Sequence, residues 1–230
     1  MTAQRWVLFD LDGTLLDYDA AQAAAVAATL REAGIEVSDH AVRLYREVNE
    51  RHWLALERGE TTAARLRVER WEEVLDALGA RDVDVAAVSE RYVGNLAAGS
   101  QVIDGAEGVV ERIRRDHRVA FITNGLVDVQ RPRLEASPLA GMAEQVVISD
   151  EVGAAKPDPA IFDAAFALMG DPPRDAVVMV GDSLTSDIAG GAAYGLETVW
   201  VAPADLPDPA GPRPTHRIAD LRELPPLLRG

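Results

Sequence analysis

The stretch Trp6-Val7-Leu8-Phe9-Asp10-Leu11-Asp12-Gly13-Thr14-Leu15 sets two carboxylates two residues apart at the end of a four-residue apolar run. A run this short and uniformly apolar fits a strand buried on both faces of a parallel α/β sheet, and in such sheets ligands bind beyond the carboxyl ends of the strands. Asp10 is then expected to project into that crevice. Asp12 lies where the strand breaks into a loop, and Gly13 supplies the backbone freedom for the turn. An apolar strand followed by an ordinary Asx-Gly turn has the same local pattern, so the motif alone leaves catalysis and structure both open.

Three further polar signals follow, each after an apolar run of strand length. Val119-Ala120-Phe121-Ile122 ends in Thr123-Asn124-Gly125, and Val146-Val147-Ile148 ends in Ser149-Asp150, with Lys156-Pro157 beyond. Val177-Val178-Met179-Val180 ends in Gly181-Asp182-Ser183-Leu184-Thr185-Ser186-Asp187. Between the first run and the second, periodicity predicts only helices, at 19–33, 39–58, 61–78 and 83–97, with breaks at Gly34, Gly59 and Gly79. After Gly99 strand and helix alternate: helix 105–116, strand 119–122, helix 127–136, strand 146–148, helix 157–168, strand 177–180, helix 185–194, strand 198–201 and a short strand near Arg217-Ile218. Alternation of this kind predicts an α/β fold with a doubly wound parallel sheet. The all-helical block at 17–99 is expected to be an insertion, leaving 1–16 and 100–230 as the α/β core domain. Ala202 to Pro214, with five prolines, is expected to be an extended surface connector.

Among 23 basic residues Lys156 is the only lysine. A composition that drives lysine out so thoroughly gives the exception weight, because an ammonium is a compact point charge suited to a phosphate or carboxylate in a tight site. The chain carries a net charge of −15, which argues against nucleic-acid or membrane-surface partners: no basic field remains to release counterions from a polyanion. Zero cysteines exclude disulfides, thiolate catalysis and cysteine-ligated metals. His40, His117 and His216 are scattered without ligand spacing. No apolar stretch is long enough to span a bilayer and the first residues read as a strand rather than a cationic leader, so the expected location is cytoplasmic. With 230 residues, 48% of them hydrophobic, the chain can bury a full core.

The four motifs together resemble those of the haloacid dehalogenase-like (HAD) phosphohydrolase superfamily, in the same order and on the same kind of element, over nearly the whole chain. The resemblance implies a phosphomonoester hydrolase with Asp10 as nucleophile, forming an aspartyl-phosphate, and Asp12 as the acid and base that also offers its backbone carbonyl to a metal. It further implies that Thr123 and Asn124 bind phosphate oxygens and that Lys156 neutralises their charge. Asp10, Asp12 and Asp182 are the implied metal ligands, with Asp187 behind them, toward metal waters or Lys156. Gathered carboxylates must meet an anionic ester, and Mg²⁺, a hard ion suited to carboxylate oxygen, resolves that conflict. Ser183 and Thr185 are expected to cap the following helix. Residues 17–99 correspond to the superfamily's helical cap.

Asp12 separates this chain from the haloacid dehalogenases, which lack an acid there, and a helical block without lysine separates it from phosphonatases. A closer likeness runs through Ile122-Thr123-Asn124-Gly125, Ile148 to Asp158, Met179 to Ser183, Gly190-Gly191 and Thr198-x-Trp200. It is similar to the bacterial pyrimidine 5′-nucleotidases, which act on pyrimidine nucleoside monophosphates. In the helical block the likeness is looser, around Asn49 to Trp53 and Gly59 to Thr61. Arg46, Asn49, His52, Trp53 and Arg65 are the candidates for base or ribose contact. A sugar-phosphate or phosphoglycolate phosphatase, a mutase and a non-catalytic nucleotide-binding regulator are the alternatives. The expected partner is a small phosphate monoester, and the expected state a monomer or homodimer.

Overall fold

A computed structural model describes residues 4–207 and 211–228, so Pro209 of the proline-rich segment lies outside the described residues. The chain divides into two compact units. One takes the chain up to Asp17, then Gln101–Val127 and everything from Leu134 onward; the other takes Tyr18–Ser100 together with Asp128–Arg133.

The first unit is built on six parallel strands: β1 Trp6–Phe9, β2 Arg118–Thr123, β3 Gln145–Ile148, β4 Val177–Gly181, β5 Glu197–Val201 and β6 His216–Ile218, in the order β3-β2-β1-β4-β5-β6. The side-chain period of two sends Val7 and Phe9 to one face with Phe121, Val180 and Val110, and Trp6 and Leu8 to the other with Ile122, Met179 and Phe162. Both faces are therefore covered, which is why the strands read as continuous apolar runs. Helices α5 (Ala106–Ile113) and α10 (Leu224–Leu227) cover the first face, and α8 (Pro159–Met169) the second. Pairing of Phe9 with both Phe121 and Val180 brings the carboxyl ends of β1, β2 and β4 to one edge of the sheet. The Asp10 amide then donates to the Val180 carbonyl at 2.9 Å.

The second unit consists of α1 (Tyr18–Glu32), α2 (Asp39–Glu57), α3 (Ala63–Ala77) and α4 (Val85–Ala97), joined by part of α6 (Val127–Ala136). Ser38, Thr62 and Asp84 cap α2, α3 and α4 by accepting from first-turn amides. Its core is an aromatic triad, Tyr45, Trp71 and Tyr92, with ring centroids 4.6 to 5.4 Å apart. Arg67 on α3 grips Asp128 with both terminal guanidinium nitrogens, which draws the start of α6 into this unit.

Two expectations need correction. The short helix α7 (Ser149–Val152) follows β3 directly, where periodicity shows only a loop. The predicted helix 185–194 is a π-helical turn, Leu184–Ile188, followed by the short helix α9 (Ala189–Ala193). The Ser183 carbonyl accepts from the amides of both Asp187 and Ile188, and this widens the turn by one residue.

Candidate active site

The loop after β1 is tightly wound. The amides of Thr14, Leu15 and Leu16 all donate to the Leu11 carbonyl, and Gly13 donates to Leu16. Gly13 has φ +85°, and a Cβ there would stand 2.4 Å from Asp182 Oδ2, so this position requires glycine for its backbone and for the approach of the acidic loop. Asp10 is 5% exposed and its side chain is gripped at both oxygens. Lys156 Nζ donates to Oδ1 at 2.6 Å and the Thr14 hydroxyl to Oδ2 at 3.0 Å. Thr14 Oγ1 also lies 3.3 Å from Asp182 Oδ1, so one hydroxyl bridges the two carboxylates.

Lys156 is 1% exposed, and its three ammonium protons have three acceptors: Asp10 Oδ1, Asp187 Oδ1 at 2.7 Å and the Ile122 carbonyl at 3.0 Å. Burial alone would lower its pKa, but the two carboxylates outweigh it and hold the ammonium protonated well above the usual lysine range. For Asp10, loss of water raises the carboxyl pKa, and the repulsion of Asp187 and Asp182 adds to this, with Lys156 acting in the opposite sense. Asp182 is pushed up to about 6, chiefly because its carboxylate loses water and secondly by the charge of Asp187. Three buried or crowded carboxylates against one ammonium leave the site short of positive charge.

The backbone around Lys156 is itself clamped. Asn124 Oδ1 accepts from the Lys156 amide at 2.7 Å and its Nδ2 donates to the Lys156 carbonyl at 2.8 Å. This paired contact across 32 residues gives the Asn124 side chain a positioning role beyond the phosphate contact expected of this residue. Ser149 Oγ accepts from Gly125 N at 3.0 Å, tying the end of β3 to the same loop. Thr123, the last residue of β2, is fully buried.

On the acidic loop the π turn returns Asp187 beneath Gly181. Asp187 is 1% exposed, with Oδ2 accepting from Ser183 N at 3.0 Å and Oδ1 from Lys156. A Cβ on Gly181 would lie 2.2 Å from Asp187 Oδ2. Gly181→Ala is expected to destabilise this unit by about 1–3 kcal/mol, as overpacking does, and to weaken any activity that depends on Lys156; urea unfolding checks the first and steady-state kinetics the second. Trp200 Nε1 donates to the Asp182 carbonyl at 2.8 Å and steadies the loop from β5, a role unassigned in the sequence reading although Thr198-x-Trp200 stood out there. Ser183 caps the turn through Ser186 N, whereas Thr185 contacts the Ser183 hydroxyl instead of capping.

Carboxylate oxygens of Asp10, Asp182 and Asp187 lie within 4.8 Å of one another. All are hard oxygen donors in a site short of positive charge, so a divalent cation of the Mg²⁺ kind fits the donor set. Asp10 and Asp187 each have both oxygens engaged, and Asp182 is the exposed member of the three. The Asp12 carboxylate is not part of the cluster. Of the helical-unit candidates, Asn49 is buried, His52 reaches Glu73, Arg65 pairs with Glu69 on its own helix, Arg46 is exposed and Trp53 half-buried. No helix among the described residues is long and apolar enough to cross a membrane.

A family profile described as haloacid dehalogenase-like hydrolase matches residues 4–195. The chain is 32% identical over 223 residues to the pyrimidine 5′-nucleotidase YjjG of Escherichia coli (strain K12), covering 97% of each chain. It is 31% identical to the pyrimidine 5′-nucleotidase PynA of Streptococcus pneumoniae, covering 96% of this chain and 93% of that one. Its fold matches the crystal structure of HAD-hydrolase YfnB from Bacillus subtilis bound to magnesium with a TM-score of 0.91, at 30% identity and over 100% of both chains.

Proposed function

The chain belongs to the haloacid dehalogenase-like hydrolase family, and from that premise we propose that it is a Mg²⁺-dependent phosphomonoesterase acting on pyrimidine nucleoside 5′-monophosphates. The observation that carries the chemistry is Asp10, buried at a strand end, gripped at both oxygens and pointed by Lys156. The likeness to two pyrimidine 5′-nucleotidases over nearly full length supports the substrate class.

In this reading the Asp10 carboxylate attacks phosphorus in line, forming an aspartyl-phosphate as the bond to the ester oxygen breaks. Asp12 gives its proton to the departing oxygen. Its carboxylate then takes a proton from the water that attacks the acyl-phosphate, releasing inorganic phosphate and restoring Asp10. Thr123 and the Asn124 amide receive phosphate oxygens, and Lys156 balances the charge gathered on them. All three Lys156 protons are engaged at rest, so it meets the phosphate by exchanging one acceptor. Mg²⁺, held by Asp10, Asp182 and the Asp12 carbonyl, would relieve the repulsion between carboxylate and phosphate dianion. The helical unit, inserted between β1 and α5, serves as the cap that recognises the rest of the ester.

Uridine and thymidine 5′-monophosphates are expected to show kcat/KM at least about tenfold above purine 5′-monophosphates and hexose phosphates, because a single-ring base fits a pocket that a purine overfills. A phosphate-release screen with added Mg²⁺ measures this. A profile led by phosphoglycolate, hexose phosphates or purine nucleotides rejects the substrate class and leaves the phosphomonoesterase standing.

A further inference from the structure

Arg70 on α3 is a buried cation without a carboxylate partner. It is 2% exposed, and its Nη1 donates to Asn49 Oδ1 at 2.8 Å, but Nε and Nη2 have no hydrogen-bond partner. These two N–H groups form the side-on edge of the guanidinium, the same fork with which Arg118 grips Glu144 elsewhere in this chain. The guanidinium carbon lies 4.9 Å from the centre of the Tyr92 ring and 5.9 Å from that of Tyr45. Those ring faces offset part of the charge but accept nothing in the plane of the fork. Buried donors left unmade are costly, and a pair of them on one edge needs an explanation.

Asn49 links Arg70 to a chain of neutral polar groups. Asn49 Nδ2 reaches the Tyr18 hydroxyl at 3.3 Å, which also accepts from Gln22 at 2.9 Å. One turn further along, His52 stands 3.3 Å from Glu73. His52 follows Asn49 by three residues and Glu73 follows Arg70 by three, so the two pairs are successive rungs between the same faces of α2 and α3. The strip runs from a half-buried edge at His52 to the buried fork at Arg70.

We propose that Arg70, oriented by Asn49, is a specificity-determining residue whose fork takes a ring carbonyl of the substrate's base; this rests on the pyrimidine nucleotidase reading. The fork only donates, so its ligand must accept. Its two parallel N–H groups can share one oxygen in the plane of the guanidinium, and the aromatic walls favour a flat ring beside it. Cytosine, uracil and thymine all carry a carbonyl at position 2, whereas adenine has no ring carbonyl and a bare sugar phosphate offers no ring. The fork is buried in this structure, so α2 and α3 have to part at the His52 edge for the base to reach it.

The test compares the wild type with Arg70→Met on UMP, CMP, ribose 5-phosphate and p-nitrophenyl phosphate, alongside the thermal shift that uridine, which carries no phosphate, produces in each protein. Arg70→Met is expected to lose at least about tenfold in kcat/KM on UMP and CMP, to keep ribose 5-phosphate and p-nitrophenyl phosphate within about twofold, and to lose the uridine-induced rise in Tm. Its own Tm is expected to stay level or rise, since an unsatisfied buried charge has been removed. Equal loss on all four substrates, unchanged UMP hydrolysis, or a uridine shift that is absent in the wild type or survives in the variant overturns the proposal. If the wild type does not prefer UMP or CMP to ribose 5-phosphate, the nucleotidase reading fails. The uridine shift judges Arg70 separately from that result.

Discussion

Asp10→Asn is expected to remove phosphomonoester hydrolysis, lowering kcat by about four powers of ten or more, as when a covalent step is lost. The amide keeps the volume of the carboxylate but has neither the nucleophilic oxygen nor the charge. The fold is expected to survive. Burial and the nearby Asp182 and Asp187 carboxylates disfavour the Asp10 charge, so a neutral amide relieves part of that penalty. Its carbonyl oxygen still accepts from Lys156 and leaves Asp187 as that lysine's counter-charge. Purified protein should therefore unfold at a urea midpoint equal to or above the wild type while releasing no phosphate. Retention of a tenth of wild-type kcat in folded protein would remove Asp10 from the nucleophile's role.

Lys156→Arg is expected to lower kcat/KM by at least about tenfold, or roughly 1.4 kcal/mol of transition-state stabilisation, although the charge is conserved. The ammonium meets three acceptors at 2.6 to 3.0 Å in a site with 1% exposure. A planar guanidinium cannot direct single donors to all three without pushing Asp10 and Asp187 apart. Lys156→Met should be worse in both respects. It leaves the buried carboxylates of Asp10 and Asp187 without a counter-charge, a loss of about 3–5 kcal/mol when one half of a buried pair is removed. The expected order in activity and in urea midpoint is wild type, Arg, Met; an arginine variant equal to the wild type would make the single lysine an accident of composition.

The strands were legible because a strand buried on both faces is apolar along its length, and Trp6–Phe9, Val119–Ile122 and Val177–Val180 show that pattern without interruption. Their polar termini were legible for a related reason. In a parallel sheet the carboxyl edge faces solvent and ligand, so Asp10, Thr123 and Asp182 stand where apolar runs stop. Element ends were less visible. α7 is four residues long, too short for periodicity to register, and the π turn at Leu184–Ile188 depends on where the Ser183 carbonyl finds its donors.

What the sequence by itself determined is therefore the alternation of elements, the parallel sheet and the set of polar groups at its edge, because each is written in local hydrophobic pattern. The partners of those groups were decided only in the tertiary structure. Asn124 grips the backbone of Lys156 from 32 residues away, Lys156 joins Asp10 across 146, and Thr14 bridges to an Asp182 that no local spacing connects to it. Arg70 shows the same limit from the other side. On α3 nothing in the local pattern marks it out, and only the packing of α2, α3 and α4 turns it inward over Tyr92 with Nε and Nη2 unmet. Burial and long-range hydrogen bonding depend on which surfaces meet, and a chain's local pattern records which residues are apolar without recording whom they meet.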